Sequence, residues 1–362
     1  MSTEVPEALR APHPDVRATT EIGRYLGWLD EHRDLAFDGY DALHHWSVTD
    51  LEGFWSSIRD FFDVREHQPA EAVLASRAMP GAAWFPGATL NYAEQALRRA
   101  EDAPDDVAVV AHSQTRDEVR LTWAQLRDQV ARARAGLVRL GVGRGDRVVA
   151  YLPNIPETVV AHLAAASLGA VWASCAPEFG ARSVVDRFGQ VEPTVLLAVA
   201  GYGYGAKHVD RRDQVAAIRA ELPTVRHVVH VPYGPDVLPD AVAWDELLTG
   251  AAAFAVDPVP FAHPLCVLFS SGTTGKPKAI VHGHGGIVLE HLKNHGLSWD
   301  LGPGDTILWF STTAWMMWNA LVSGLLVGAT TTWPSASSVR PAPRCRRRGT
   351  RGSPSSSARG CS

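Results

Sequence analysis

The chain has 362 residues, of which 46% are apolar and 20% charged, with a formal net charge of −5. That length leaves room for about two domains with a sizeable packed core, and the mild acidity argues against nucleic acid as the main partner. The four cysteines, Cys175, Cys266, Cys345 and Cys361, show no Cys-x-x-Cys spacing, which excludes a disulfide scaffold and favours a reducing, cytoplasmic setting.

In chain order, Met1 to Thr20 reads as a mobile arm, polar and proline-rich at its start, with no apolar run of a signal peptide. Glu21 to Asp30 and Asp41 to Phe62 read as helices. The second is opened by Thr49, with Glu52 three residues on as a capping box. Trp46, Phe54, Trp55, Phe61 and Phe62 are expected to pack this small helical region, residues 21–95, onto the body. Asp106 to His112 is a strand. Thr122 caps the next helix with Gln125 in the reciprocal position, and Leu126, Val130, Ala133, Leu137 and Leu140 line one face of it. Val148 to Leu152 is a strand, Pro156 to Leu168 a helix closed by Gly169, Ala170 to Ser174 a strand and Glu178 to Pro193 a helix. Such alternation predicts an α/β fold with a parallel, doubly wound sheet over residues 96–333.

Two glycine-rich stretches need separating from phosphate sites. Gly141-Val142-Gly143-Arg144-Gly145 imitates part of a dinucleotide fingerprint, but it follows a helix and precedes a strand. That order is backwards for pyrophosphate binding, so it reads as a tight turn. Gly201 to Ala206 reads as a loop that ends on Lys207.

The stretch with the strongest chemistry is Phe269-Ser270-Ser271-Gly272-Thr273-Thr274-Gly275-Lys276-Pro277-Lys278. Apolar runs, Leu265 to Phe269 and Ala279 to Val281, enter and leave it as strands. Glycines free the backbone to form an anion-holding concavity. The hydroxyls add donors, and each lysine adds a point charge suited to phosphate. Only four lysines stand among the 34 basic residues, and two of them are here. The stretch is not a Walker A loop, because two residues rather than four separate its glycines and Pro277 takes the place of the metal-binding hydroxyl.

Ser270 to Lys278 resembles the nucleotide-binding signature of the adenylate-forming superfamily, the acyl-CoA synthetases and their relatives. The resemblance implies the large N-terminal domain of that fold, here incomplete. It also implies a reaction in which a carboxylate attacks the α-phosphate of ATP and coenzyme A then displaces AMP. It places Ser270, Ser271, Gly272, Thr273, Thr274, Gly275, Lys276 and Lys278 on the ATP phosphates, with Mg²⁺ as the accompanying ion. Lys207 stands near the position of a basic residue that approaches the 3′-phosphate of coenzyme A in relatives. Trp84 to Tyr92 resembles a segment of the acetyl- and acetoacetyl-CoA synthetase group, with no chemistry assigned to it.

Past the loop, His282, His284, His291 and His295 follow. His291 and His295 lie one helical turn apart, but no Glu sits where a zincin needs it, so core or surface histidines on a helix over Gly285 to His295 are expected rather than a metal site. Asp305 to Phe310 is a strand. Thr306 to Val339 contains no Asp, Glu, Lys or Arg, yet its polar punctuation favours a buried strand–helix–strand unit over a membrane span. In the resembling family the turn after this strand carries an aromatic wall of the acyl pocket, and Trp315 matches it. Thr312 to Asn319 and Pro277 to His282 are closest to the acetoacetyl-CoA synthetase branch, which implies a short 3-keto acid as substrate.

The resemblance stops near Trp333. Residues 334–362 hold eight serines, seven arginines and four prolines with no Asp, Glu or Lys. They read as a disordered tail of the kind a frameshift in a GC-rich frame produces. No Glu follows Glu290 and no Lys follows Lys293, so the family's metal-binding Glu and C-terminal lysine have no counterpart and no catalytic residue is identifiable. Four readings stay open: an acetoacetate–CoA ligase, an inactive truncated product of such a gene, an acetyl- or propionyl-type synthetase, and a non-catalytic nucleotide-binding module.

Overall fold

The computed structural model describes residues 15–113, 115–270 and 275–333. The arm expected over residues 1–20 and the tail over 334–362 therefore fall mostly outside the described residues. Val16–Thr19 already forms a helical turn, and Thr20 caps the helix that follows by accepting from the Gly23 amide at 3.2 Å.

Two sheets organise the chain. The strands are β1 (Val107–Ala111), β2 (Val119–Thr122), β3 (Arg147–Tyr151), β4 (Val171–Cys175), β5 (Val195–Ala198), β6 (Gly201–Tyr204), β7 (Lys207–Asp210), β8 (His227–His230), β9 (Val242–Ala243), β10 (Pro264–Ser270), β11 (Lys278–Gly283), β12 (Thr306–Leu308) and β13 (Thr330–Trp333). The larger sheet has the order β9-β8-β5-β3-β4-β10-β11 and is parallel except for the last pair. The smaller sheet runs β12-β13-β1-β2, parallel except for β1 with β2. Here β13 is inserted between β12 and β1, so residues more than 200 apart become neighbours, as in the pairing of Thr331 with Val109.

The helices are α1 (Glu21–Arg33), α2 (Tyr40–Thr49), α3 (Leu51–Phe61), α4 (Tyr92–Leu97), α5 (Trp123–Arg139), α6 (Pro156–Ser167), α7 (Ala181–Phe188), α8 (Arg212–Ala220), α9 (His284–Leu292) and α10 (Met316–Val322). Strand alternation sets α5 and α6 on one face of the larger sheet and α7 and α8 on the other. Val148, Ala150 and Leu197 share a core with Leu126 and Val130 of α5 and with Val159 and Leu163 of α6. Val149, Tyr151 and Leu196 point the other way, onto Val184 and Phe188 of α7 and Val215 and Ile218 of α8. This is the doubly wound arrangement that the alternation of strand and helix requires. Every residue of β5 is wholly buried, which explains its continuous apolar run.

The capping box of α5 forms as expected: the Thr122 hydroxyl accepts from the Gln125 amide, and the Gln125 side chain accepts from the Thr122 amide. The turn at Gly141 to Gly145 also forms, with φ of 80° at both terminal glycines and the Gly143 amide donating to Asp146. Other local expectations shift. Asp50, not Thr49, caps α3, accepting from the Gly53 amide at 2.9 Å, while the Thr49 hydroxyl donates back to His45. The helix expected over Glu178 to Pro193 is confined to α7, between Gly180 and Gly189. The loop at Gly201 is a hairpin, with Lys207 opening its second strand. The helix expected over Gly285 to His295 starts at His284 and passes into a π-helix over Lys293–Ser298.

The segment Trp84 to Tyr92 gains a structural role. Asn91 is fully buried, and its amide donates to the carbonyls of Ala166 and Asp257, at 2.9 and 3.0 Å. Its carbonyl oxygen caps α4 through the Ala93 amide. One side chain thus fastens the N-terminal region to the end of α6. No helix among the described residues is long and apolar enough to cross a membrane.

Burial lowers the pKa of His162, His284 and His291 to about 3. In the unfolded chain these imidazoles titrate near 6.5, so between those values the unfolded state holds more protons and stability falls as pH drops. Urea unfolding should lose about 2 kcal/mol per buried histidine between pH 6.5 and 5. His162→Gln should reduce that dependence by about a third, and an unchanged slope would remove His162 as a contributor.

Candidate functional site

The C-terminal ends of β3, β4, β5 and β10 lie along one edge of the larger sheet, because these strands are parallel. In open parallel sheets that edge is where ligands bind. The hydroxyl- and glycine-rich loop leaves β10 at Ser270 and returns as β11, with Ser270 paired to Lys278. Of the expected phosphate-binding residues, Ser271, Gly272, Thr273 and Thr274 lie outside the described residues. Gly275, Lys276 and Lys278 are exposed beyond the sheet edge, and Ser270 is half-buried.

Helix α7 braces the exit of this loop. The Gln190 amide donates to the Pro277 carbonyl at 2.9 Å and to the Asp186 carbonyl at 2.7 Å. The Asp186 carboxylate lies 3.8 Å from the Lys276 ammonium, whose side chain is 75% exposed. An open cleft between α7 and the loop is lined by Gly180, Arg182, Ser183, Arg187, Gly275 and Pro277. Tyr151, at the end of β3, donates to the carbonyls of Pro177 and Phe179 and so fixes the segment that enters α7.

The turn that carries Trp315 reaches the same edge from the smaller sheet. It follows β12 and is tied to the larger sheet by two buried hydroxyls. Ser174, in β4, donates to the Thr313 carbonyl at 2.6 Å, and the Thr313 hydroxyl donates to the Leu152 carbonyl at 2.8 Å. A third tie runs from the Trp318 indole to Asn154 at 2.9 Å. Trp315 itself is 64% exposed and precedes the first turn of α10. Phe310, before it, and Met316, next in the chain, are exposed as well. Sequence reasoning overlooked Ser174, Thr313 and Asn154. The available signal was a hydroxyl ending an otherwise apolar strand.

Lys207 is exposed on the β6–β7 hairpin, which follows β5. The hairpin is anchored by the Gly203 amide on the Thr115 hydroxyl and by His208 on Asp236. Nothing among the described residues brings Lys207 into contact with Lys276 or Trp315.

His295 and His284 make structural contacts, while His291 Nδ1 and His284 Nε2 are buried without a hydrogen-bond partner. His295 sets its Nδ1 2.8 Å from the His291 carbonyl and its Nε2 2.7 Å from the Ala320 carbonyl, one of which accepts its single N–H, and His284 Nδ1 accepts from the Tyr92 amide. Burial pushes the Cys175 and Cys266 thiols up to about 12, so neither is a nucleophile near neutral pH. Among the described residues no group of three or more His, Cys, Asp or Glu could hold a metal ion. At the loop exit the carboxylate on hand is Asp186, already against Lys276. The described residues therefore supply no cluster of carboxylates for a Mg²⁺ ion at the loop exit.

Residues 97–347 match the AMP-binding enzyme family, and residues 40–96 match the acetyl-coenzyme A synthetase N-terminus family. An acetoacetyl-coenzyme A synthetase of Rhizobium meliloti is 39% identical over 332 residues, covering 89% of this chain and 50% of the relative. An acetoacetyl-CoA synthetase of Rattus norvegicus is 37% identical over 345 residues, covering 91% and 51%. The solved acetoacetyl-CoA synthetase of Streptomyces lividans superposes with a TM-score of 0.88 at 54% identity, covering 91% of this chain and 51% of that one. The chain spans about half the length of the curated relatives it matches.

Replacing Thr313 by Val should leave the Leu152 carbonyl without its donor and cost about 1–3 kcal/mol of stability in urea unfolding. A loss under a few tenths would show that this buried tie does not hold the turn.

Proposed function

The chain belongs to the AMP-binding enzyme family, and from that premise we propose that it binds ATP and a short 3-keto acid for the acetoacetate–CoA ligase reaction. In that reaction a carboxylate oxygen of acetoacetate attacks the α-phosphorus of ATP, forming acetoacetyl adenylate and releasing diphosphate. The sulfur of coenzyme A then attacks the acyl carbon, the acyl–phosphate bond breaks, and AMP leaves with acetoacetyl-CoA as product. The observation that carries the reading is the placement of the Ser270 to Lys278 loop at the C-terminal edge of the parallel sheet, where the turn of Trp315 is fastened by Ser174 and Thr313.

Each residue takes the part its chemistry allows. Lys276 and Lys278 are exposed point charges for the β- and γ-phosphates, and Ser270, Ser271, Thr273 and Thr274 supply hydroxyl donors. Gly272 and Gly275 let the backbone close around an anion. Trp315 borders the acyl group, and Lys207 meets the 3′-phosphate of coenzyme A. Both the mild acidity and the small-molecule chemistry fit a cytoplasmic enzyme without nucleic-acid or membrane partners.

A second reading rests on charge. No Glu follows Glu290 and no Lys follows Lys293, whereas the resemblance places a metal-binding Glu and a catalytic lysine later in the family. Stabilising the charge that develops at a reacting phosphate needs groups fixed around it. These 362 residues then hold ATP without adenylating acetoacetate on their own.

Two outcomes follow. The purified chain should bind ATP, and Lys278→Ala should weaken that binding about tenfold or more with circular dichroism unchanged, since charge-assisted phosphate contacts contribute ~1.5–3 kcal/mol. Acetoacetate-dependent exchange between ATP and diphosphate should be absent from the chain alone, and clear exchange would overturn the second reading.

A further inference from the structure

Between Gly275 and Pro277 the loop has no regular structure of its own, and the ladder holds only the backbone of Lys278, so another contact must fix how the chain presents its cations. Pairing of Ser270 with Lys278 sets the start of β11 but leaves Gly275, Lys276 and Pro277 outside the ladder. The ion pair of Lys276 with Asp186 is long at 3.8 Å, and its lysine is mostly exposed. A pair of that kind holds a side chain weakly.

A better-defined contact lies beside it. Gln190 stands just past the end of α7, and its amide nitrogen donates to two carbonyls at once. One belongs to Asp186, in the last turn of α7, and the other to Pro277, which is 87 residues away in sequence. The amide thereby uses both its protons and joins an orphan carbonyl of the helix end to the loop. Pro277 suits this role because its ring fixes φ, so anchoring its carbonyl fixes the direction of the chain on either side. The residues on those two sides are Lys276 and Lys278. Helix α7 in turn is held to the sheet by Val184 and Phe188, both fully buried.

We propose that Gln190 is a positioning residue for the phosphate loop, acting through the Pro277 carbonyl to hold Lys276 and Lys278 toward the β- and γ-phosphates of ATP. This rests on the reading of the loop as the ATP site. Gln190 touches no substrate; its effect is to preset the cations, so that less conformational freedom is lost when the polyphosphate arrives.

The test compares the full chain with Gln190→Met, which keeps length and volume and removes the donor. Calorimetric titration with ATP should show affinity reduced about five- to tenfold, the worth of one hydrogen bond. AMP, which lacks the β- and γ-phosphates, should bind both proteins within about twofold of one another. A purely structural role would weaken both nucleotides together, and that result, or unchanged ATP affinity, overturns the proposal. A second measurement needs no ligand. Amide exchange of the peptide covering residues 275–283 should speed up several-fold in Gln190→Met, while peptides from β3 and β4 stay unchanged. If the parent chain fails to bind ATP, the functional reading falls; unchanged exchange at residues 275–283 would overturn the clamp itself.

Discussion

Two buried hydroxyls connect the sheets on which this fold depends. Ser174 and Thr313 form a short relay from β4 through the turn after β12 to the end of β3. Each satisfies a carbonyl that would otherwise be buried without a partner, and leaving one bare costs about 1–3 kcal/mol. The relay therefore fixes where the strand ends of one sheet meet those of the other. The proposed phosphate loop after β10, the Trp315 turn after β12 and the segment entering α7 after β4 all hang on those ends.

Basic residues are divided by chemistry. Arginine does the structural pairing, with Arg65 on Glu101 and Arg116 on Glu157 each making two hydrogen bonds to one carboxylate. The planar guanidinium matches a carboxylate in that way and lysine does not. Lys207 and Lys278 make no ion pair among the described residues, and the pair formed by Lys276 is long and exposed. Lys293 is the committed one, 2.7 Å from Glu290, so three of the four lysines are left free or weakly held, as the proposed phosphate contacts require.

Much of the architecture was legible because apolar periodicity and glycine turns are local signals. The helix from Thr122, the turn at Gly141 and the buried strands were readable on that basis. What escaped were contacts set by tertiary placement. Asp50 displaces Thr49 as a cap because an adjacent acceptor competes for the same amides. The β6–β7 hairpin hid behind its glycines, which read as a loop until Thr115 and Asp236 hold it. Ser174, Asn91 and Gln190 look ordinary in sequence, since each acts on a carbonyl from 75 to 139 residues away. The loop signature itself was legible without any structure, because four hydroxyls, two glycines and two lysines in ten residues have few other uses.

The lateral edge strand beside the proposed phosphate loop, and its counterpart in the smaller sheet, present apolar surface. Strand β11 ends the larger sheet with Ile280 and Val281 exposed, and β12 ends the smaller one with Leu308, Trp309 and Phe310 exposed beside it or just after it. Open edges with apolar side chains invite pairing with another strand. Lys278, at the first position of β11, places a charge on that edge, a device that discourages such pairing. One lysine cannot shield the whole strand, because its charge is screened within about 8–10 Å at physiological salt. Val281, the farther of the two large exposed apolar residues of β11, lies three residues beyond it, roughly 10 Å along an extended strand. The cation proposed to hold phosphate therefore protects only the loop end of the edge and leaves the stretch past Val281 without its charge.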